Sequence, residues 1–450
     1  MRVVKTTVLG ALVLANLAAA SAVAATSSGQ AAASRTEQAA GFSADASAMR
    51  GHGELAVISD HHLYLVGGDA GDVQRVALDG RATRPLWSAD GRWLAVTVSP
   101  APPKKNPYAD LPTSVRLVSA AGKVIRTVSP PGAHDAVAHW SPTGRRLAIT
   151  YRVRRRYTAE VVGIGGNARL LTRASYLSGV AWSPDGSRIA VGVSRFHKPA
   201  TATSWRSEID VYSPRGSKLR MQATHHGGII EVARWWPDGS GVLGWIDPMG
   251  SGSIAADGLS LYDFTANGHR RKLGGMLAYP QWLATSRATN QVAFIAGGDR
   301  EVTLGHKHLV ICDETSCRTI EQKSTQVTFD PAWSTHGTLA VIRDQTVSPS
   351  SGIGMSYVAK TQASGGLALV APYPKKHAVH LSVGADASDP AFGRDSEGTI
   401  LVVKKRALWL LSLDMNQATR VAGPIDVSAN AYYGFVPWDD SFAWSAAVPQ

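Results

Sequence analysis

The 450-residue chain holds only two cysteines, Cys312 and Cys317. Two thiols cannot build a disulfide framework, and by themselves they are too few to complete a zinc site. The sequence has no His-Glu-x-x-His and no Gly-x-Ser-x-Gly, so the helical zinc-peptidase signature and the hydrolase nucleophile turn are both missing. Beyond the amino terminus no run of eighteen apolar residues occurs, which excludes a second helical membrane span. Charged residues make up 18% and hydrophobic ones 44%. That is the composition of a folded chain, not a disordered one.

The amino terminus reads as an export signal. Arg2 and Lys5 precede an apolar stretch from Thr7 to Ala20, and Ala22-Val23-Ala24 offers a small-residue cleavage site. The apolar core is short for a membrane anchor and no charged stop follows it. We therefore expect a signal peptide over 1–24 and no integral span after its removal. No cysteine follows the apolar core, so no lipid attachment is expected. Residues 25–50 are rich in Ala, Ser, Gly and Gln without a sustained period, and read as a flexible leader before a folded domain over 51–450. Export permits a Cys312–Cys317 disulfide, which would clip one hairpin across the polar residues between them. Localisation is expected to be periplasmic or extracellular.

What the sequence has in abundance is glycine, 44 residues, and tryptophan, 13. They recur together. The clearest copy is Trp182-Ser183-Pro184-Asp185-Gly186, followed by Ile189-Ala190-Val191. Trp87 with Asp90 and Gly91, Trp140 with Gly144, and Trp235 with Pro237, Asp238 and Gly239 repeat it. Weaker copies begin at Trp282, at Trp333 with Gly337, at Phe392 and at Phe435. In each copy the aromatic residue ends one strand and packs between sheets. The Pro-Asp-Gly that follows makes a tight turn, with proline fixing φ, aspartate bonding nearby backbone and glycine accepting a left-handed conformation. The Leu-Ala-Val run is the next strand. Uneven intervals of about 50 residues suit four-stranded blades with unequal loops.

The fold class read from this pattern is all-β, a β-propeller of eight blades, with seven as the alternative. Residues 55–58, 62–66 and 73–78 look like the later strands of a blade whose first strand is missing. The last copy can supply it, so strands from both chain ends would close the ring and remove open edges. Longer insertions stand near 99–112, 194–207, 247–257 and 344–365; loops on a rigid scaffold are common places for binding residues.

The repeated Trp-Ser-Pro-Asp-Gly with its Ile/Leu-Ala-Val strand resembles the WD40-like, TolB-type β-propeller repeat over about residues 54–446. The resemblance implies a protein-binding scaffold of the bacterial cell envelope. It covers the repeats only. A TolB-type amino-terminal domain has no counterpart, nor does the α/β-hydrolase domain that follows similar propellers in some peptidases.

Chemistry beyond the repeat is sparse. Asp90, Asp185 and Asp238 belong to the turn and are read as structural, because a catalytic acid is not needed in every blade. His61-His62, His225-His226 and the His306/His308 pair lack further ligands in sequence, so no metal and no cofactor is expected. Formal net charge is +12 from 46 basic and 34 acidic residues, a balance that favours anionic partners. The densest basic run carries Arg152, Arg154, Arg155 and Arg156, and is the candidate contact for a protein or an anionic envelope polymer. Export and the lack of a nucleic-acid fold motif argue against nucleic acid. The leading function is an exported, noncatalytic binding or scaffold protein. The alternatives are a propeller enzyme acting on a glycan, lactone or peptide through residues gathered from several blades, and a structural component of an envelope assembly.

Overall fold

A computed structural model describes residues 41–67, 71–106, 109–196, 205–248, 257–299, 306–346, 366–370, 378–393, 396–428 and 435–445. The expected signal peptide lies outside these residues. Within them the strands assemble into eight antiparallel sheets, seven of four strands and one of five. In chain order each sheet is one blade, and the first strands of neighbouring blades pack on one another around a central channel.

Burial explains why second strands read as continuous apolar runs. Leu94–Val96, Ile189–Val191, Val292–Ile295 and Leu339–Ile342 are each buried throughout, because a strand inside a blade is covered on both faces by the adjacent blades. The core is therefore distributed between blades. One apolar cluster joins blades 3 and 4 and another joins blades 4 and 5.

Closure is doubled. The carboxy-terminal strand Phe442–Ser445 is the first strand of blade 1 and pairs antiparallel with Glu54–Ser59, as the sequence reading expected. A second clasp lies at the other end of the chain. Ser43–Ala44 pairs with Gly423 and Ala422 and becomes a fifth, outermost strand on blade 8. The leader expected over 25–50 is thus structured over its last ten residues. Asp45 caps a short 3-10 turn, Ala46–Met49, by accepting from the Ser47 and Ala48 amides. Met49 is fully buried, and Phe42 stacks on Tyr64 of blade 1 at 4.1 Å. Aspartate at the cap and two apolar anchors outweigh a composition that otherwise resembles a linker.

The repeated turn is built as its residues require. Asp185 accepts from Ser183 Oγ at 2.5 Å and from the Ser187 amide at 3.1 Å, while Ser183 Oγ accepts from the Arg188 amide at 2.9 Å. These bonds hold the Asp185 carboxyl at about 2, against a desolvation penalty that acts the other way. Asp90 and Asp238 accept the same backbone amide two residues on. Gly186 sits at φ +72° and its counterparts Gly91, Gly144, Gly239 and Gly337 lie at +68° to +94°, where a side chain is strained.

The tryptophans do more than fill space. Four indole Nε1–H groups donate to the carbonyl just before the repeat tryptophan of the preceding blade: Trp87 to Ala443, Trp140 to Leu86, Trp182 to His139 and Trp235 to Ala181, at 2.8–3.2 Å. Blades 1 to 5 are thereby joined by four identical bonds. The register identifies two displaced members of the series. Leu55 pairs with Trp444 as Ile189 pairs with Trp182, so Trp444, not Phe435, is the repeat aromatic of blade 1. In blade 6 Thr285 takes that place opposite Val292, and Trp282 lies three residues earlier in a short 3-10 turn.

This pattern makes a prediction. Trp182→Phe keeps the ring and removes only the bond to His139, and should cost about 1 kcal/mol. Trp333 Nε1 is buried without a partner, so Trp333→Phe should be neutral or mildly stabilising. Urea unfolding midpoints compared at equal slope check the contrast; equal losses in both variants would refute it.

Candidate functional site: a channel crossed by its own chain

The channel is lined by the first strands, and several of these are bulged. In blades 2, 7 and 8 the extra residues are Arg84-Pro85, Asp330-Pro331 and Asp389-Pro390. Arg84, Asp330 and Asp389 all have φ near +50°, a conformation that costs a non-glycine residue energy and clusters where a side chain must be re-aimed. His139 and Arg234 stand one residue before the tryptophans of blades 3 and 5. His139, Asp330 and Asp389 keep accessible surface although protein surrounds them, as expected for groups facing a channel instead of a packed core.

The link between blades 8 and 1 does not stay at the rim of this channel. Phe435 stacks face to face on Tyr279, ring centroids 3.9 Å apart, and meets Trp282 edge-on; both partners belong to the entry of blade 6. Asp439 accepts from Gln281 Nε2 at 2.8 and 3.0 Å, again at blade 6. The next residue, Asp440, pairs with Arg84 Nε of blade 2 at 2.7 Å and accepts from Ser428 Oγ. Blades 6 and 2 are four steps apart on an eight-blade wheel and so face each other. Residues 435–440 therefore cross the channel mouth from side to side. Sheets pack at a nearly fixed separation, so a ring of eight leaves a wider centre than a smaller ring, and this crossing spans its mouth.

Charge inside the channel is divided. Asp330 and Asp389 stand on blades 7 and 8 and Arg84, His139 and Arg234 on blades 2, 3 and 5, while Asp439 of the crossing segment lies within reach of the Arg84 and Arg234 charges. Desolvation raises the Asp330 carboxyl to about 6, opposed by bonds from the Asp389 amide at 3.1 Å and Trp282 Nε1 at 3.2 Å. Desolvation, then the nearby Asp330 and Asp439 charges, raises Asp389 well above the usual carboxylate range. Desolvation lowers His139 to about 4, helped by Arg84 and Arg234, so it is neutral at pH 7. Among the described residues no group of three or more His, Cys, Asp or Glu is arranged to hold a metal ion.

The residues singled out in sequence sit elsewhere. Arg152 is not free for an anion: its Nε and guanidinium nitrogens bond Asp135 and Asp110 at 2.8 Å, and Asp110 also holds His134. Arg154, Arg155 and Arg156 are exposed at the turn between the second and third strands of blade 3. Cys312 and Cys317 form a disulfide across the outer hairpin of blade 6. Sequence reading missed the channel. The signal was there, as the recurrence of x-Pro-x-aromatic at Arg84–Trp87, Asp330–Trp333 and Asp389–Phe392. The four long insertions all join the second strand of a blade to its third, in blades 2, 4, 5 and 7. They leave on one face, opposite the Pro-Asp-Gly turns. Much of three of them lies outside the described residues.

The fold and its closed channel define an eight-bladed β-propeller clasped at both chain ends. No family model and no curated protein matches the chain. Solved structures share its fold. Dipeptidyl peptidase 4 of Porphyromonas gingivalis aligns over 86% of this chain and 60% of its own at 10% identity, TM-score 0.52. A eukaryotic initiation factor aligns over 83% and 86% at 11% identity, TM-score 0.50. The propeller domain of the trilobed protease of Pyrococcus furiosus aligns over 76% and 98% at 9% identity, TM-score 0.43. At such identities the likeness is one of fold.

Proposed function

We propose that the chain is an exported, noncatalytic binding or scaffold propeller of the WD40-like, TolB-type kind, with a protein or an anionic envelope polymer as partner. The observation that carries the reading is the crossing of the channel by residues 435–440. Gln281 and Arg84 bond this segment and Asp330 accepts from the Asp389 amide, so the segment stands where a substrate would enter. Partners then meet the faces and loops of the wheel. The apolar segment Thr7–Ala20 and the formed disulfide support export to an oxidising compartment. The alternative of an enzyme acting on a glycan, lactone or peptide rests on the convergence of Arg84, His139, Asp330 and Asp389 from four blades.

Crosslinking in intact cells, followed by mass spectrometry, tests the proposal and also reveals neighbours if the chain is a structural part of an envelope assembly. The expected result is a defined partner whose purified form binds the chain saturably. Turnover of a glycan, lactone or peptide by the purified chain, abolished in Asp389→Asn and without a captured partner, would replace this reading with the enzymatic one.

A further inference from the structure

The fourth strands of the eight blades, outermost on all but blade 8, where Ser43–Ala44 lies beyond, carry charge of one sign only. Together, Val73–Arg75, Val124–Thr127, Ala168–Ala174, Lys218–His226, Arg270–Met276, Cys317–Thr319, Ala378–Ala385 and Gln417–Gly423 contain eleven Lys or Arg and no Asp or Glu. At the chain's own proportion of 46 basic to 34 acidic residues, eleven charges would include roughly five carboxylates. The rest of the chain is close to balance, with 35 basic and 34 acidic residues (46 − 11 against 34).

Protection of sheet edges does not account for this. Edges are commonly guarded by charge, lysine above all, whereas nine of these eleven residues are arginine, the side chain suited to bidentate contact with phosphate and carboxylate. Local bonds engage more than half of them. Arg126 donates to the Gly163 carbonyl of the next blade and Arg271 to that of Asp313. Lys218 pairs with the inward Asp210 at 2.7 Å, and Arg271 lies 4.0 Å from Asp263. Arg75 bonds the His62 ring, Arg220 donates to Gln222 Oε1, and Arg420 donates to Ser43 Oγ and the Gly423 carbonyl, whereas Arg169, Arg173, Arg270 and Lys272 stand exposed on blades 3 and 5.

We infer that the outer wall of the wheel is a docking track for a flexible, linear polyanion, a polymer bearing repeated phosphate or carboxylate groups. Its course follows from the geometry. Successive blades turn by roughly 45° (360°/8), so a flat anionic surface meets only a few blades at once, whereas a flexible chain can follow the wall and meet many. The densest sector is blades 3 to 5, where Arg169, Arg173, Arg270 and Lys272 flank the exposed side chains of Leu170, Leu219 and Met221. This inference narrows the partner class proposed above and moves the contact from the Arg154–Arg156 turn to the wall.

The test uses the full mature chain with two probes, long-chain inorganic polyphosphate and polygalacturonate, titrated at several salt concentrations. Vesicles of phosphatidylcholine with phosphatidylglycerol form a third arm. Binding to a polyanion should weaken steeply with salt as counterions are released. The variant Arg169→Glu/Arg173→Glu/Arg270→Glu/Lys272→Glu should lose more than about tenfold in affinity and show a shallower salt slope. The variant Arg154→Glu/Arg155→Glu/Arg156→Glu should stay within about twofold of the parent. All these side chains are exposed, and thermal melts confirm that both variants fold. A preference for one polymer upholds the inference and identifies the anion. Binding to neither polymer, binding to vesicles only, or equal losses in the two variants overturns it. Partner capture in cells is scored separately, so a silent wall leaves the broader proposal to stand or fall on its own experiment.

Discussion

A chain ending at residue 434 is expected to lose its cooperative unfolding transition and to self-associate. The deletion removes two things at once. Without Phe442–Ser445 the edge of Glu54–Ser59 is open, and an unpaired strand with Leu55, Ala56, Val57 and Ile58 fully buried in the intact protein is a template for pairing with another chain. Without Phe435 and Trp438, both buried in the closed ring, the stacking partners Tyr279 and Trp282 lose their cover. Loss of one buried aromatic commonly costs about 3–5 kcal/mol, which is a large part of the stability of an ordinary domain. Light scattering and thermal denaturation of the truncated and full-length proteins check the outcome. A monomer that melts like the parent would mean that the ring holds without its last strand.

The second large effect concerns charge in the channel. Asp389→Asn should raise stability at pH 8 by about 1–2 kcal/mol and change little at pH 4. The sign follows from linkage. Burial, with the neighbouring Asp330 and Asp439, raises the Asp389 carboxyl in the folded state. The native protein therefore binds its proton more tightly than the unfolded chain does. That contribution is complete below the ordinary carboxylate range, near pH 4, and is lost as pH rises through the folded value. Asparagine holds no such proton and avoids the loss. It also tolerates the φ of +49° at this position. Removing the charge should in turn let Asp330 ionise more readily, since the two carboxyls stand side by side. His139 works in the opposite sense, because its lowered value favours the folded state only above the acid range, so the comparison must be made between variant and parent at each pH. Stability measured from pH 4 to pH 8 checks this; a variant less stable than the parent at pH 8 would show that the charge is needed there.

The sequence carried the architecture well, for a reason visible in single residues. Trp182, Pro184, Asp185 and Gly186 act within one turn of chain, and each has a local task that its chemistry reveals. Repetition then gave the blade number even though two of the anchors used, Trp282 and Phe435, prove to be displaced from the repeat position by three and nine residues. Spacing tolerates such errors. The Arg152–Arg156 run was legible as charge but not as availability, because Asp110 and Asp135 reach Arg152 only through the fold. The channel crossing was illegible for a similar reason. Asp439 and Asp440 are adjacent in sequence, yet their partners Gln281 and Arg84 lie 158 and 356 residues away. No local pattern encodes such pairings. The wall of basic residues was hidden because it is assembled from short outer strands, most of which carry only one or two charges.

The double clasp sets an order of events. Glu54 meets Ser445 and Ser43 meets Gly423, so both closures join segments almost the whole chain apart. Contacts of such separation carry the largest loop-closure cost and form late. A chain emerging amino-terminus first can assemble its middle blades from local hairpins, but its first blade waits for the last residues to arrive. Until then the wheel is an open arc with a bare edge at each end. Pairing of Phe442–Ser445 with Glu54–Ser59 is the step that ends that interval.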